Sequence, residues 1–377
     1  MMHRKIRVGV VFGGRSSEHE VSLASAASVM NAMDRKKYDI VPIGITNDGR
    51  WIASGDPLKA LQSGELGGTR PAALLGDPSW QGLLRLDDSG KGLAAAEVNH
   101  LDVVFPVLHG TYGEDGTVQG LLELANVPYV GADVLSSAVA MDKIMFKYVM
   151  TAHGIANVDS LWFRRKEWQN HSAGVLEAVE ERLGYPVFTK PANMGSSVGV
   201  SKCDNRDELA DGLNEAARYD RKLLVEVAVP EAREIEVSVL GNDEPIASVP
   251  GEVVPSREFY SYEAKYIDLG ESASGLLIPA PLSESMTAQV RELAIRAYRA
   301  IDCCGMARVD FLLPRSSGQL YINEMNTIPG FTGISMYPKL WDATGVSCAE
   351  LIDRLIELAM ERHSDNASSA TSYQAQG

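Results

Sequence analysis

Apolar positions along this chain fall into two periods, and each period predicts an element. "IRVGVVF" is a short apolar run bounded by charge on one side and by Gly13 and Gly14 on the other, the mark of a buried strand. Runs of the same kind recur at "YDIVPIGIT", "LDVVFPVLH" and "PYVGA", with helical spacing over 22–33 and 117–126 between them. Residues 6 to about 140 therefore read as an α/β domain with a mostly parallel sheet. Residues 53–97, rich in Gly, Asp, Ser and Pro, read as a surface excursion.

The pattern then predicts a helix over 134–153 and a hairpin in which "YPVFTKPA" and "VGVSKC" flank a small-residue tip, "NMGSSVG". "KLLVEVAV" closes that unit. "REIEVSVLGN", "PIASVPGEVVP", "ARVDFLL" and "LYINEMN" predict a third, larger sheet, with helices at 283–301 and 346–362 packed on it. The expected domains are 1–140, 141–228 and 229–363. The tail 364–377, "SDNASSATSYQAQG", lacks aliphatic anchors and is expected to be disordered.

Composition narrows the function. Hydrophobic content of 45% with 23% charged residues suits a globular protein of more than one domain. Acids outnumber bases 50 to 35, for a net charge of -15, which speaks against a nucleic-acid role. A polyanionic ligand must meet a local cluster of bases, or metal ions. Four cysteines without a C-x-x-C pair point to a reduced, cytoplasmic setting, and no run resembles a signal peptide or a membrane span.

The stretch "MARVDFLLPRSSGQLYINEMNTIPG" concentrates the candidate chemistry. Side chains alternate along a strand, so Arg308 and Asp310 share one face, and Glu324 and Asn326 share a face of the next. Paired as a hairpin, these strands would bring a guanidinium, two carboxylates and an amide together. Crowded carboxylates call for a cation between them, and an oxygen-only donor set suits Mg²⁺. A solvated sheet face with an ordinary Arg–Asp ion pair gives the same alternation.

Glycine-rich "KPANMGSSVG" places Lys190 beside a bare loop of Gly195, Ser196, Ser197 and Gly199 that can approach a polyphosphate, although it is not a Walker loop. A plain hairpin turn explains the glycines without the lysine. Lys143, in "AMDKIMFK", sits on a helix, where most lysines are simply solvated. Tyr260, Tyr262, Lys265 and Tyr266 in "SREFYSYEAKYID" form either a packed loop or a lid that excludes water.

"HGTYGEDGTVQGLLEL", "MDK", "KPANMGSSVGVSK", "AREIEVSVLGND", "FYSYEAKY", "ARVDFLL" and "EMNTIPGFTGISMYPKLW" together resemble the D-alanine:D-alanine ligases of the ATP-grasp superfamily. The resemblance runs in order from Lys5 to Met360. It implies an α/β ATP-grasp fold of three domains, with ATP held between the central and C-terminal ones. The implied reaction joins two D-alanines into a peptidoglycan precursor, through an acyl phosphate, in a cytoplasmic homodimer.

Position by position, the resemblance implies Asp310, Glu324 and Asn326 as ligands of two Mg²⁺ or Mn²⁺ ions, with room for a monovalent cation. Arg308 would steady the transferred phosphoryl group. Lys143, Lys190 and Lys265 would hold phosphates, with Ser197 in the covering loop. The backbone of Glu226, Val227 and Val229 would read adenine, and Glu234 the ribose; some relatives carry lysine where Val227 stands. Glu20, Ser196 and Tyr266 would form a bonded set over the first D-alanine, with His109 by its carboxylate. Ser335 and Met336 would bind the second carboxylate, and Gly330 would offer an N–H to the reacting acyl group. The tyrosine of "EAKY", absent from many D-alanine:D-lactate ligases, favours a dipeptide product.

The opening glycine turn admits two further readings. A dinucleotide-binding domain would need G-x-G-x-x-G, and the residues present are G-G-R-S-S-E. S-x-x-E from Ser17 to Glu20 fits a capping box, whereas the family pattern sets Glu20 against the first D-alanine's ammonium group. On either view the turn resembles an anion site at a helix start. An ATP-grasp protein that binds nucleotide without turnover would carry the same motifs.

Overall fold

The computed structural model describes residues 4–88, 93–254 and 275–370. Three sheets are built in sequence order. The first begins with β1 (Ile6–Gly13), followed by α1 (His19–Ala32), β2 (Tyr38–Ile45), β3 (Trp51–Ala53), α2 (Pro57–Ser63), β4 (Arg70–Leu74), β5 (Gly82–Asp88), β6 (Leu93–His100), β7 (Val103–Val107) and α3 (Thr117–Leu124). Its strand order is β6-β5-β4-β3-β2-β1-β7.

Among the described strands of this sheet, β1 pairs in parallel with β2 and β7, while every pairing from β2 out to β6 is antiparallel. The expected mostly parallel sheet is thus corrected to a mixed one. Residues 53–97 are not an excursion: they supply strands that extend the sheet edge by antiparallel pairing, which needs no crossover, with α2 inside the β3–β4 connection. "PYVGA" contributes one bridge, Val104 to Tyr129, rather than a strand.

The predicted helix over 134–153 is two helices, α4 (Val134–Met141) and α5 (Lys143–Ala152). Asp142 breaks them by taking an extended backbone (ψ 96°), and its carboxylate accepts the free N–H groups of Ile144 and Met145. The second sheet holds β8 (Ser160–Arg164), β9 (Val187–Pro191), β10 (Ser201–Cys203) and β11 (Lys222–Val227), in the order β10-β9-β11-β8. Helices α6 (Arg165–Asn170), α7 (Ser172–Arg182) and α8 (Arg206–Tyr219) accompany it. Strands β9 and β10 pair antiparallel, forming the expected hairpin with its small-residue tip.

The third sheet contains β12 (Ala232–Leu240), β13 (Ile246–Ala247), β14 (Gly251–Val254), β15 (Gly275–Leu277), β16 (Met306–Pro314) and β17 (Tyr321–Asn326), in the order β15-β14-β12-β16-β17 with β13 on β12. Helices α9 (Glu284–Ala300), α10 (Met336–Thr344) and α11 (Cys348–Ala367) follow the chain. Helix α11 continues through Ala367, so residues 364–367 are ordered helix rather than tail. The anticipated lid over 256–271 lies outside the described residues, as do Lys265 and Tyr266.

Period-2 burial sorts β1 between two cores. Val8, Val10 and Phe12 face one that also takes α1, Tyr337 and Trp341 of α10, and Leu351, Ile352 and Leu355 of α11. Val11 faces the other, with Val118 and Leu122 of α3. The second sheet has its own core around Val179, Leu213 and Leu223. All four cysteines are free thiols. Among the described residues, no helix is long and apolar enough to cross a membrane.

Candidate active site

Strands β16 and β17 pair in the register that the alternation requires. Arg308 stands opposite Asn326 and Asp310 opposite Glu324, with a register shift immediately afterwards. Arg308 forks onto Asp310 through Nε and Nη2, both at 2.8 Å, and Asn326 Nδ2 donates to Asp310 Oδ2 at 3.0 Å. Glu236, on the neighbouring β12 and opposite Asp310, puts Oε2 2.9 Å from Arg308 Nε. Burial works against the Arg308 charge, but Asp310 and Glu236 outweigh it and hold its pKa well above the usual arginine value. The guanidinium is therefore fixed in charge and direction.

Across from this patch lies a cleft of about 450 Å³ between the second and third sheets. It is lined by Lys143, Lys190, Ser196, Ser197, Glu226, Val227, Val229, Glu234, Asp310 and Glu324 among others. Lys143 opens α5; its N–H donates to Ala192 O at 3.0 Å and its Nζ to Met194 O at 2.7 Å, which pins it to the base of the hairpin. From there its ammonium lies 3.8 Å from Glu324. Lys190 Nζ pairs with Glu226 Oε1, and Lys147 Nζ approaches Glu226 Oε2 at 3.2 Å. At the hairpin tip Ser196 and Ser197 have φ of 49° and 58°, in the left-handed region.

The first sheet meets the cleft through Glu18. Ser196 Oγ donates to Glu18 Oε1. That carboxylate fits between two glycines: a Cβ at Gly110 or at Gly195 would lie 2.6 or 2.7 Å from Glu18 Oε2. The residue named from sequence, Glu20, is exposed on the first turn of α1. Glu18, two residues earlier, is the glutamate bonded to Ser196, because α1 starts at His19 and Glu20 is turned outward. The capping box is also absent: Glu18 occupies the N-cap without a side-chain cap bond.

Nor does the glycine turn offer its N–H groups to an anion. Gly13 N–H donates to Ser22 Oγ at 2.7 Å and Gly14 N–H to Ile45 O at 2.9 Å. The glycines serve the backbone itself, since φ of 91° at Gly13 brings it so close that a Cβ would meet Ile45 O at 2.2 Å.

His109 is likewise committed to the fold. Its Nδ1–H donates to Ile328 O at 2.9 Å, leaving Nε2 to accept from Ser25 Oγ at 3.1 Å, while Ser25 Oγ accepts the Phe331 N–H at 3.1 Å. Burial lowers its pKa, and the ring is neutral. Both nitrogens are thus engaged by protein, in place of the expected carboxylate contact, and they hold the loop that carries Gly330. Glu114 supports the same loop by accepting from Ile328 N at 2.9 Å and from Gly110 N at 2.8 Å. Ser335, the N-cap of α10, accepts from Thr332 N at 3.0 Å and lies close enough to Gly330 that a Cβ there would come within 2.7 Å of its hydroxyl. Met336 begins the helix and is buried.

Sequence reasoning missed Glu18, Glu114, Lys147 and Glu236. Glu236 had a signal, the alternation Glu234, Glu236, Ser238 in "REIEVSVL", and Lys147 had the i, i+4 spacing from Lys143 in "MDKIMFK".

Comparison with known proteins agrees with this architecture. Residues 7–132 match the D-ala D-ala ligase N-terminus and residues 149–357 the D-ala D-ala ligase C-terminus. A D-alanine–D-alanine ligase of Natranaerobius thermophilus is 47% identical over 98% of this chain and 99% of its own. Among solved structures, the D-alanine-D-alanine ligase from Coxiella burnetii shares 39% identity with a TM-score of 0.81, covering 97% of this chain and 96% of that one. A D-Ala:D-Ser ligase from Enterococcus faecalis shares 34% with a TM-score of 0.83, covering 94% and 100%. The ordered motifs, the ATP-grasp fold and these matches over nearly the whole chain establish that it belongs to the D-alanine–D-alanine ligase family.

Proposed function

We propose that this protein joins two D-alanines into D-alanyl-D-alanine for cell-wall precursor synthesis, with ATP converted to ADP and phosphate. The observation that carries the reading is the cleft that collects Lys143, Lys190, Asp310 and Glu324 beside the half-buried Arg308. Cationic side chains converge there with paired carboxylates, the combination that phosphoryl transfer requires.

The carboxylate of the first D-alanine attacks the γ-phosphorus as the bond to ADP breaks, giving an acyl phosphate. The amine of the second D-alanine attacks that acyl carbon, and phosphate leaves. Lys143 and Lys190 hold the phosphates, while the backbone of Glu226, Val227 and Val229 and the side chain of Glu234 place the nucleoside. Arg308, fixed by Asp310 and Glu236, meets the charge that develops on the moving phosphoryl group. Glu18 takes the place given to Glu20 and faces the first ammonium group. Gly330 and Ser335 serve the acyl oxygen and the second carboxylate, with His109 and Glu114 holding their loop in position.

The donor set fits divalent cations: Asp310 and Glu324 face each other across the register, and Asn326 adds an amide oxygen. Two Mg²⁺ or Mn²⁺ ions bound there would neutralise phosphate charge. Lys265 and Tyr266, with the rest of the 256–271 segment, are assigned to a lid on the family resemblance, as are a homodimeric state and a cytoplasmic location.

Purified protein given ATP, Mg²⁺ and D-alanine, with D-serine and D-lactate as competitors, should release phosphate and form mainly D-alanyl-D-alanine. Predominance of either mixed product would overturn the choice of second substrate, and absence of phosphate release would overturn the activity.

A further inference from the structure

Glu226 is a buried carboxylate with two ammonium partners that differ in what they can reach. Lys190 lines the cleft and pairs with Oε1, whereas Lys147 does not line it and approaches Oε2 at 3.2 Å from beneath, its side chain 7% exposed. Lys147 Nζ also donates to Val158 O at 3.3 Å, so its position is fixed from a third element. Lys143 and Lys147 occupy one face of α5 a turn apart, one at the cleft and the other behind it.

We propose that Lys147 is a positioning residue for ATP binding: it keeps Glu226 charged and in place when Lys190 leaves that carboxylate for the nucleotide's phosphates. The inference rests on reading Lys190 as a phosphate lysine. A carboxylate this deeply buried cannot lose its only counter-ion without a large desolvation penalty. With one partner, Lys190 would be trapped on Glu226 in competition with the phosphates; with two, it can be released. Burial would raise the Glu226 pKa, but Lys147 and Lys190 outweigh it and hold the group down to about 2, so the carboxylate is charged in the free enzyme.

The test is steady-state kinetics on the full chain, with ATP varied at saturating D-alanine and Mg²⁺. Lys147→Met should fold, because Lys190 still neutralises Glu226 without nucleotide. Its KM for ATP should rise about tenfold, with kcat within about twofold and the KM for D-alanine unchanged. Lys147→Arg should return most of the loss. Combined with Glu226→Gln, which removes the charge, Lys147→Met should add no further increase. An unchanged KM for ATP in Lys147→Met, or in Lys147→Gln if the first variant does not fold, overturns the proposal, as does simple additivity with Glu226→Gln. Lys190→Ala separates the premises: if it leaves the KM for ATP unchanged, the phosphate assignment itself fails.

Discussion

Ser196, at the tip of the central hairpin, donates its hydroxyl to Glu18 at the start of α1, joining residues 178 positions apart. The bond ties the loop over the phosphate side of the cleft to the glutamate assigned to the amino-acid side.

Glu18 and Glu20 differ in that bond, and their variants should differ accordingly. Glu18→Gln keeps the shape but removes the charge facing the first ammonium group, so the KM for D-alanine at the first site should rise about tenfold or more, by the loss of one charge-assisted bond. Glu20→Gln, on an exposed turn, should leave it unchanged. Initial rates over a D-alanine series compare the two; a larger effect at Glu20 would restore the original assignment.

Removing Arg308 should cost stability as well as rate. Asp310 and Glu236 are buried against it, and Arg308→Ala removes this cation from both, a loss of roughly 3–5 kcal/mol by analogy with broken buried pairs. Urea denaturation measures this. Arg308→Lys should retain more of the stability yet lose the bidentate fork, with kcat reduced about a hundredfold or more if the group meets transition-state charge.

The facing carboxylates give a third expectation. Asp310→Ala with Glu324→Ala should abolish phosphate release at any Mg²⁺ concentration. Each single variant should shift the Mg²⁺ dependence to higher concentration. Phosphate release titrated against Mg²⁺ and Mn²⁺ checks this, and a double variant as fast as the parent would remove these residues from metal binding.

Glu114 predicts a pH effect. Burial and repulsion from Glu18 raise its pKa to about 8, against the two N–H groups that favour its charge. From about 4.5, the ordinary value, up to about 8 the folded chain holds a proton that the unfolded chain lacks. Stability therefore falls as pH rises through that window. Thermal midpoints of the parent and Glu114→Gln should differ in slope between pH 5 and pH 8, with the variant flatter.

The Arg308, Asp310, Glu324 and Asn326 patch was legible because strand alternation is rigid, and pairing two adjacent strands leaves few registers. Glu236 was legible only as one of an alternating set, because β12 reaches β16 from far along the chain and the pairing is what sets it opposite Asp310. Glu20 was set at the site by the family pattern, whereas the fold exposes it on the first turn of α1 and bonds Glu18 to Ser196, a contact between distant segments that no local pattern encodes. Residues 53–97 hid their strands behind turn-rich composition, since an edge hairpin needs little apolar content. Engagement of the His109 nitrogens and the Gly13 and Gly14 N–H groups depends on partners that no local pattern encodes.

The core shared by Phe12 of β1 and by Trp341, Leu351 and Leu355 near the other end has a consequence for synthesis. A chain emerging from the ribosome can form its first strand and helix at once, yet the partners for that apolar face are translated last. Until then Val8, Val10 and Phe12 lack much of their cover. The central unit draws its core from its own segment and can form it before the carboxy-terminal helices are made.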